Sequence, residues 1–105
     1  MPSKAELQEI KKRLLDPDGR MPEIFDALGD HNRCKLFKAL ISRQDLNVSD
    51  ISKILDVSVP AASQHLAIMD KANLLGKRRE GKNVFYYINK KDPTIRLIVA
   101  ILSSK

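Results

Sequence analysis

Apolar residues recur every three or four positions through the first two thirds of the chain, which predicts a series of amphipathic helices. In the first of them, expected over residues 4–15, Leu7, Ile10 and Leu14 share one face. Further helices are expected at residues 22–28, 31–42, 48–55 and 58–72. Residues that can cap a helix N-terminus stand at Ser3, Asp30 and Ser58.

The pattern changes to that of a β-hairpin after Leu74. Strands are expected at residues 75–79 and 84–89, with a turn at residues 80–83, because residues 84–88 are β-branched and aromatic. A last helix is expected over about residues 93–104, with Asp92 as its cap and Pro93 at its first position. These elements predict a mainly α (α+β) fold in a single domain over residues 1–105.

The composition is typical of one soluble domain. The chain has 105 residues, of which 43% are hydrophobic and 30% are charged. Its net charge of +6 favours a polyanionic partner, because lysine and arginine side chains that neutralise phosphates release condensed counterions. Other classes of basic protein share this surplus, so the positions of the charges have to show which kind of partner the chain binds.

Several classes of protein are excluded by what the sequence lacks. Cys34 is the only cysteine, which excludes a scaffold held together by disulfides. We find no secretory leader, and the apolar stretch at residues 95–102 is shorter than the ~20 residues that span a bilayer. A cytoplasmic location is expected. We find no glycine-rich phosphate loop and no nucleophile paired with a base, so an enzyme is not expected, and no cofactor is predicted.

The helices at residues 48–55 and 58–72, separated by a tight turn, form a predicted helix-turn-helix. The second helix of such a unit lies in the major groove, with its N-terminal residues nearest the bases. Gln64 can bond an adenine edge, and Ser63 can bond a base or a phosphate. The candidate DNA contacts on this helix are Ser58, Val59, Pro60, Ala61, Ser63 and Gln64. Alternatively, Ser63 and Gln64 are ordinary solvated residues.

The hairpin beside this unit is basic, with Lys77, Arg78, Arg79 and Lys82 opposed only by Glu80. A charged β-ribbon next to a recognition helix can follow the phosphate backbone or reach the minor groove. Lysine and arginine also protect an exposed edge strand from pairing with another chain, which is the alternative. Aromatic residues make up 5% of the chain, too few for repeated base stacking, so duplex DNA is favoured over single strands.

The order and spacing of these elements resemble the ArsR/SmtB family of winged helix-turn-helix repressors. The resemblance extends over about residues 24–89. It rests on the segment Ala27–Arg33, the helix Val48–Leu55, the segment Ser63–Leu66, the segment Ala72–Leu75 and the wing Lys77–Tyr87. It implies a homodimer that binds an operator of two-fold symmetry and releases it on a signal, which the sequence does not identify.

The resemblance also implies that the first and last helices form the dimer interface. The last helix supports this by itself, because a helix that is apolar nearly all round is buried on more than one side. The residues expected at the interface are Leu7, Ile10, Leu14, Ile95, Ile98, Val99 and Leu102. The remaining apolar residues of the last helix are Leu97, Ala100 and Ile101.

The chain departs from the family at its metal sites. Many members carry a Cys-x-Cys pair where this chain has Asn47 and Ser49, which cannot bind a soft metal as thiolates do. Other members place metal ligands along the last helix, where this chain offers only Asp92, a better N-cap than ligand. We therefore expect neither metal site. Cys34 is expected to be a small buried hydrophobe, with redox sensing as the alternative.

His31 and His65 are expected to have structural roles, because two histidines without a cysteine or carboxylate cluster make a poor zinc site. The function favoured overall is sequence-specific binding of duplex DNA. The alternative is a winged helix that docks proteins without contacting DNA, since a fold does not fix a function.

Overall fold

The computed structural model describes residues 1–14 and 19–103, which form six helices and one two-stranded antiparallel sheet. The elements are α1 (Lys4–Arg13), α2 (Arg20–Leu28), α3 (His31–Ile41), α4 (Val48–Leu55), α5 (Val59–Lys71), β1 (Leu75–Glu80), β2 (Asn83–Ile88) and α6 (Pro93–Ser103). The predicted fold class is confirmed. The predicted ends of the first and last helices, at residues 15 and 104, lie outside the described residues.

The helix N-termini are set by local capping. The Ser3 hydroxyl accepts the Glu6 N–H at 3.1 Å, while the Glu6 carboxylate accepts the Ser3 N–H at 2.9 Å, as a capping box requires. Asp30 caps α3 by accepting the N–H groups of Asn32 and Arg33. Ser58 accepts the Ala61 N–H at 3.2 Å and begins α5. These three sequence predictions are confirmed.

α2 begins at Arg20, two residues before the predicted start. Pro22 therefore stands in the first turn rather than at the first position, which costs nothing because N–H groups in the first turn lack intrahelical partners. Its N-cap, Gly19, has a φ of +62°, a conformation that glycine adopts at little cost.

The tight turn between α4 and α5 depends on Asp56, which has the left-handed conformation φ 57°, ψ 48°. Short polar side chains tolerate this region better than other non-glycine residues do. The Val57 N–H then bonds the Ser52 carbonyl at 3.0 Å, which closes the end of α4. α5 can therefore begin at Val59, directly after the Ser58 cap.

One cluster of buried side chains joins α2 to α6 and the hairpin. Its largest members are Phe37, Ile24, Leu36, Leu40, Ile51, Met69, Leu74 and Ile95. Along α5, helical spacing predicts an inner face of Ala62, Leu66 and Met69, and all three are buried. On α3, helical spacing predicts an apolar stripe through Cys34, Phe37 and Ile41, which is only partly right. Leu36, Phe37 and Leu40 form its buried face, whereas Cys34 and Ile41 are half-buried at the edges.

The hairpin pairs Leu75 with Ile88 at its base and Glu80 with Asn83 at its tip. The two-residue loop starts with Gly81, whose φ of +60° favours glycine and suits the twist of a hairpin. The Tyr86 N–H also bonds the Leu46 carbonyl at 3.1 Å, so the α3–α4 connection lies along the free edge of β2. The wing is thereby fixed to the helical body.

Candidate nucleic-acid interface

The first two turns of α5 present the predicted DNA-contacting residues to solvent. Ser58, Val59, Pro60, Ser63 and Gln64 are exposed, and Ala61 is half-buried. The opposite side of the same helix is inserted in the core through Ala62, Leu66 and Met69. One side of the N-terminal end of α5 is therefore exposed and carries the polar residues Ser63 and Gln64, while the other side is fixed in the core.

Arg33 of α3 fastens α5 to the end of α2. Its Nε donates to the Ala27 carbonyl at 2.6 Å, and its guanidinium lies 3.3 Å from Nδ1 of His65. A guanidinium only donates, so this contact is a hydrogen bond when the His65 Nδ1 carries the lone pair. His65 directly follows Gln64, one of the exposed residues of α5. Its contact with Arg33 therefore gives His65 a structural role beside the exposed end of that helix.

Asp30 completes this junction beneath the recognition helix. Its Oδ2 lies 3.9 Å from the His65 Nδ1. The pKa of the Asp30 carboxyl is lowered, chiefly because it accepts the backbone N–H of Arg33, with a smaller contribution from the charge of Arg33. Helices α2, α3 and α5 thus meet at one polar junction.

The wing has two chemically different faces, because successive residues of a strand point to opposite sides. Lys77 and Arg79 share one face with Tyr86 and Val84. This is the face toward α5, since the Lys77 ammonium lies 3.1 Å from the Asp70 carboxylate of that helix. Arg78 lies on the other face, which we call the outer face of the wing.

The four predicted basic contacts of the wing therefore differ in their surroundings. Arg78 is bound within its own chain: its guanidinium is 5.1 Å from the centre of the Phe85 ring, 3.1 Å from the Glu80 carboxylate and 3.2 Å from the Gln44 carbonyl. Lys77 is paired with Asp70. In residues 1–14 and 19–103, no salt bridge involves Arg79 or Lys82, and both are exposed.

A cleft of about 300 Å³ separates the helix-turn-helix from the tip of the wing. It brings together two predicted contacts, Ser63 of α5 and Lys82 of the hairpin loop. The cleft is also lined by Asn47, Val48, Ser49, Asn83, Val84 and Tyr86. The sequence pattern did not indicate that Asn47, Ser49 and Tyr86 adjoin this surface. Asn47 and Asp50 carry a capping-box pattern that locates the start of α4, but only the fold places it beside the wing.

The residues predicted for dimer contact fall into two groups. Leu7, Ile10 and Leu14 on α1 are exposed, and α1 has no buried residue. On α6, Ile98, Val99 and Leu102 are half-buried against the chain's own core. Ile95 is 0% exposed, because its side chain is already covered by its own chain. The large apolar side chains that remain exposed on α6 are Leu97 (68%) and Ile101 (70%).

The residues at the family's metal positions have other partners. The Asn47 side chain accepts the Asp50 N–H at 2.9 Å and caps α4. Asp92 accepts the Thr94 N–H at 3.0 Å at the start of α6 and forms an ion pair with Arg20 of α2, which lowers the pKa of its carboxyl. Within the described part of the chain, no three His, Cys, Asp or Glu side chains are grouped so as to hold a metal ion.

Cys34 is a free, half-buried thiol, more accessible than a core position would be. In the part of the chain that the structure describes, no helix is long and apolar enough to cross a membrane.

The sequence has relatives of known family. The sequence model described as "Bacterial regulatory protein, arsR family" matches residues 30–77. The cadmium resistance transcriptional regulatory protein CadC of Listeria innocua is 39% identical over 64 residues, which cover 61% of this chain and 54% of that protein. The transcriptional repressor SdpR of Bacillus subtilis is 30% identical over 69 residues, covering 66% of this chain and 76% of that protein.

The transcriptional repressor SmtB homolog of Synechocystis is 42% identical over 72 residues, covering 69% of this chain and 54% of that protein. The matched segments thus span about half the length of the CadC and SmtB relatives.

Solved structures share the fold over most of the chain. Reduced HlyU from Vibrio cholerae superposes with a TM-score of 0.72 at 25% identity, covering 90% of this chain and 93% of that one. The homodimeric winged helix-turn-helix domain Mb0332 from Mycobacterium bovis has a TM-score of 0.70 at 17% identity, covering 98% and 85% of the two chains. Taken with its sequence relatives, this chain belongs to the ArsR/SmtB family of winged helix-turn-helix transcriptional regulators.

Proposed function

We propose that the chain is a sequence-specific, double-stranded DNA-binding transcriptional repressor that acts as a homodimer. The observation that carries this proposal is the arrangement of the cleft, where Ser63 at the exposed end of α5 and the exposed Lys82 of the wing line one surface. The names of the SdpR and SmtB relatives as transcriptional repressors support it.

On DNA, the N-terminal half of α5 enters the major groove. Gln64 reads an adenine edge and Ser63 bonds a base or a neighbouring phosphate, while Val59 and Ala61 contact thymine methyl groups. The junction of Arg33, Asp30 and His65 holds this helix from behind, so that the reading residues keep one orientation.

The wing contributes charge through Arg79 and Lys82, which have no salt bridge among the described residues. They bind phosphates, or the minor groove beside the major-groove site. Lys77 and Arg78 serve chiefly to fix the wing, through Asp70 on one face and through Phe85 and Gln44 on the other. A phosphate in the cleft would also meet Ser49 at the positively polarised start of α4.

The dimer is formed by the exposed apolar residues of α1 together with Leu97 and Ile101 of α6. In a domain of this size, such surfaces are normally covered by a partner chain. A two-fold dimer places two recognition helices one DNA turn apart, about 34 Å, which requires an inverted-repeat operator. The Mb0332 domain from Mycobacterium bovis, which shares this fold, is homodimeric.

The proposal is tested by fluorescence anisotropy with labelled duplexes from the region upstream of the gene and with random duplexes of equal length. Preferential, salt-sensitive binding to the upstream duplex is expected. Gln64→Ala should lose that preference, whereas Lys38→Ala, an exposed residue on α3, should keep it. Equal affinity for all duplexes at physiological salt would contradict the proposal and favour a winged helix that docks proteins.

Binding should not depend on the family's metals. Because Asn47 and Ser49 stand where thiolates are needed, adding Zn²⁺, Cd²⁺ or arsenite, or removing metals with a chelator, should leave the affinity for the upstream duplex unchanged. The same anisotropy titration checks this. Release of DNA on addition of one of these ions, reversed by a chelator, would show a metal site that the described residues do not reveal.

A further inference from the structure

A cavity of about 680 Å³ lies at the base of the wing and away from the cleft that faces DNA. Gly76 and Tyr87 form part of its wall, and the α3–α4 connection contributes Gln44. Gly76 is five residues from Gly81 at the wing tip, which is about 16 Å along a strand. It also shares the outer face of the wing, opposite the face that contacts α5.

The charged residues that line this cavity are all cations. Lys77, Arg78, Lys90 and Lys91 contribute to the lining, and no Asp or Glu does. Lys77 and Arg78 are neutralised by Asp70 and Glu80. Lys90 and Lys91 have no carboxylate within salt-bridge distance among the described residues, and the Lys90 ammonium reaches only the Ile41 carbonyl at 3.5 Å.

Two carboxylates that adjoin lining residues of the cavity in sequence are already paired. Asp92, next to Lys91 in sequence, caps α6 and pairs with Arg20. Asp45, next to Gln44, receives two hydrogen bonds from Arg43, at 2.8 and 2.7 Å. Two ammonium groups on one short loop thus remain available to an anion from outside the chain.

An aromatic wall stands beside these charges. The ring of Tyr87 lies over Gly76, its cross-strand partner, so closely that a Cβ at Gly76 would be 2.3 Å from Cε2 of the ring. Glycine is therefore required at this position for the ring to keep its place. The ring is held on one side by backbone and is half-buried, while the tyrosine also lines the cavity.

We infer that the outer face of the wing base binds a small organic anion that carries a planar ring. Lys90 and Lys91 bind the anionic group, and Tyr87 supplies the face on which the ring stacks. The volume accommodates a molecule as large as a nucleoside monophosphate, since ligand pockets generally measure about 300–1,000 Å³. A ligand there would contact both the wing and the connection that Arg78 joins to it through the Gln44 carbonyl.

The site can be tested by ¹⁵N NMR titration of the intact chain with adenosine monophosphate and with phenyl phosphate. Saturable shifts are expected at the amides of Gly76, Tyr87 and Lys91. Because anion and ring both contribute, inorganic phosphate and adenosine should each bind about tenfold more weakly than adenosine monophosphate. Tyr87→Leu should weaken binding of adenosine monophosphate and leave that of inorganic phosphate unchanged.

Two matched double variants distinguish the effect of the two lysines at the cavity from the effect of the net charge of the chain. Lys90→Gln/Lys91→Gln should weaken binding of adenosine monophosphate about tenfold. Lys35→Gln/Lys38→Gln on α3 removes the same charge at exposed positions and should leave the affinity unchanged.

The inference is overturned if neither ringed phosphate gives a saturable shift, if the shifts are confined to α5 and the wing tip, or if both pairs of variants weaken binding equally. Shifts at Gly76, Tyr87 and Lys91 on addition of duplex DNA would also overturn it, by assigning the surface to DNA. The titrations with the ringed phosphates do not require the chain to bind an operator, so the inference and the proposed function can fail separately.

Discussion

Arg78 and Arg79 are adjacent arginines of β1 with different surroundings. Arg78 lies over Phe85 on the outer face and bonds Glu80 and Gln44, whereas Arg79 is exposed on the other face. A side chain that is already bound within its chain gives up those contacts to reach DNA, while an exposed one does not. The two residues should therefore respond differently to the same truncation.

Arg79→Ala should weaken DNA binding about tenfold and reduce the slope of affinity against salt concentration by about one. Arg78→Ala should change affinity less and instead lower the free energy of unfolding by about 1 kcal/mol, through loss of its ring and carboxylate contacts. Anisotropy at several salt concentrations and urea denaturation measure the two effects. A larger loss of DNA affinity from Arg78→Ala than from Arg79→Ala would contradict this assignment.

Between elements, a few polar contacts connect helices that are otherwise joined by apolar packing. Arg33 links α3 to the end of α2 and to α5, and Asp92 links the start of α6 to Arg20 of α2. Each of these side chains satisfies groups on a neighbouring element. Removing one of these side chains should therefore change how the helices are arranged relative to one another more than it changes the stability of any single helix.

Arg33→Met should lower the free energy of unfolding by about 1–3 kcal/mol, because the Ala27 carbonyl and the His65 ring both lose a donor. It should also weaken DNA binding under conditions where the variant is fully folded, since α5 loses its support. Lys35→Met, exposed on the same helix, is the control. Loss of stability with unchanged DNA affinity would limit Arg33 to a structural role.

The Arg20–Asp92 pair predicts that the stability of the folded chain depends on pH in the acidic range. The pKa of Asp92 in the folded chain lies below its ordinary value of 3.8, mainly because of its bond with Arg20. The ionised carboxylate therefore stabilises the fold above pH 3.8, and this stabilisation is lost as the pH falls through the folded pKa. Urea denaturation should show the wild type more stable than Asp92→Asn at neutral pH. The difference should shrink below about pH 4. A difference that stays constant into acid would contradict the ion pair.

In the molecule as a whole, both terminal helices carry large apolar side chains that remain exposed. Every described residue of α1 is exposed, and Leu97 and Ile101 of α6 are about as exposed as Leu14 of α1. A folded domain that leaves these residues in water gains by burying them against a second copy. The oligomeric state should therefore depend on the outer side of α6 rather than on Ile95.

Leu97→Asp/Ile101→Asp should convert the dimer to a monomer, because each protomer would then bring two carboxylates into an apolar contact. Size-exclusion chromatography with light scattering measures the mass, and circular dichroism checks that the helices persist. Ile54→Asp, at a comparably exposed position on α4, should remain dimeric. A dimeric double variant would place the interface elsewhere.

Much of the fold could be predicted because its determinants are local. The Ser3–Glu6 capping box, the Asp30 cap and the Ser58 cap each involve residues two or three apart, so the sequence displays them directly. The buried face of α3 was harder to assign. Several elements pack around that helix, and helical periodicity does not show which of its apolar residues lies at the centre.

The sequence by itself determined the order of the helices and strands, the recognition helix and the basic character of the wing. Only the tertiary structure decided that Arg78 is bound and Arg79 is exposed, and that Ile95 is buried while Leu97 and Ile101 are not. Periodicity divides a strand or helix into faces, but it does not say which face a distant element will cover. Which face is covered depends on packing among residues far apart in the chain. That packing decides which residues stay exposed on the surface proposed for DNA and which stay exposed on the surface proposed for a partner chain.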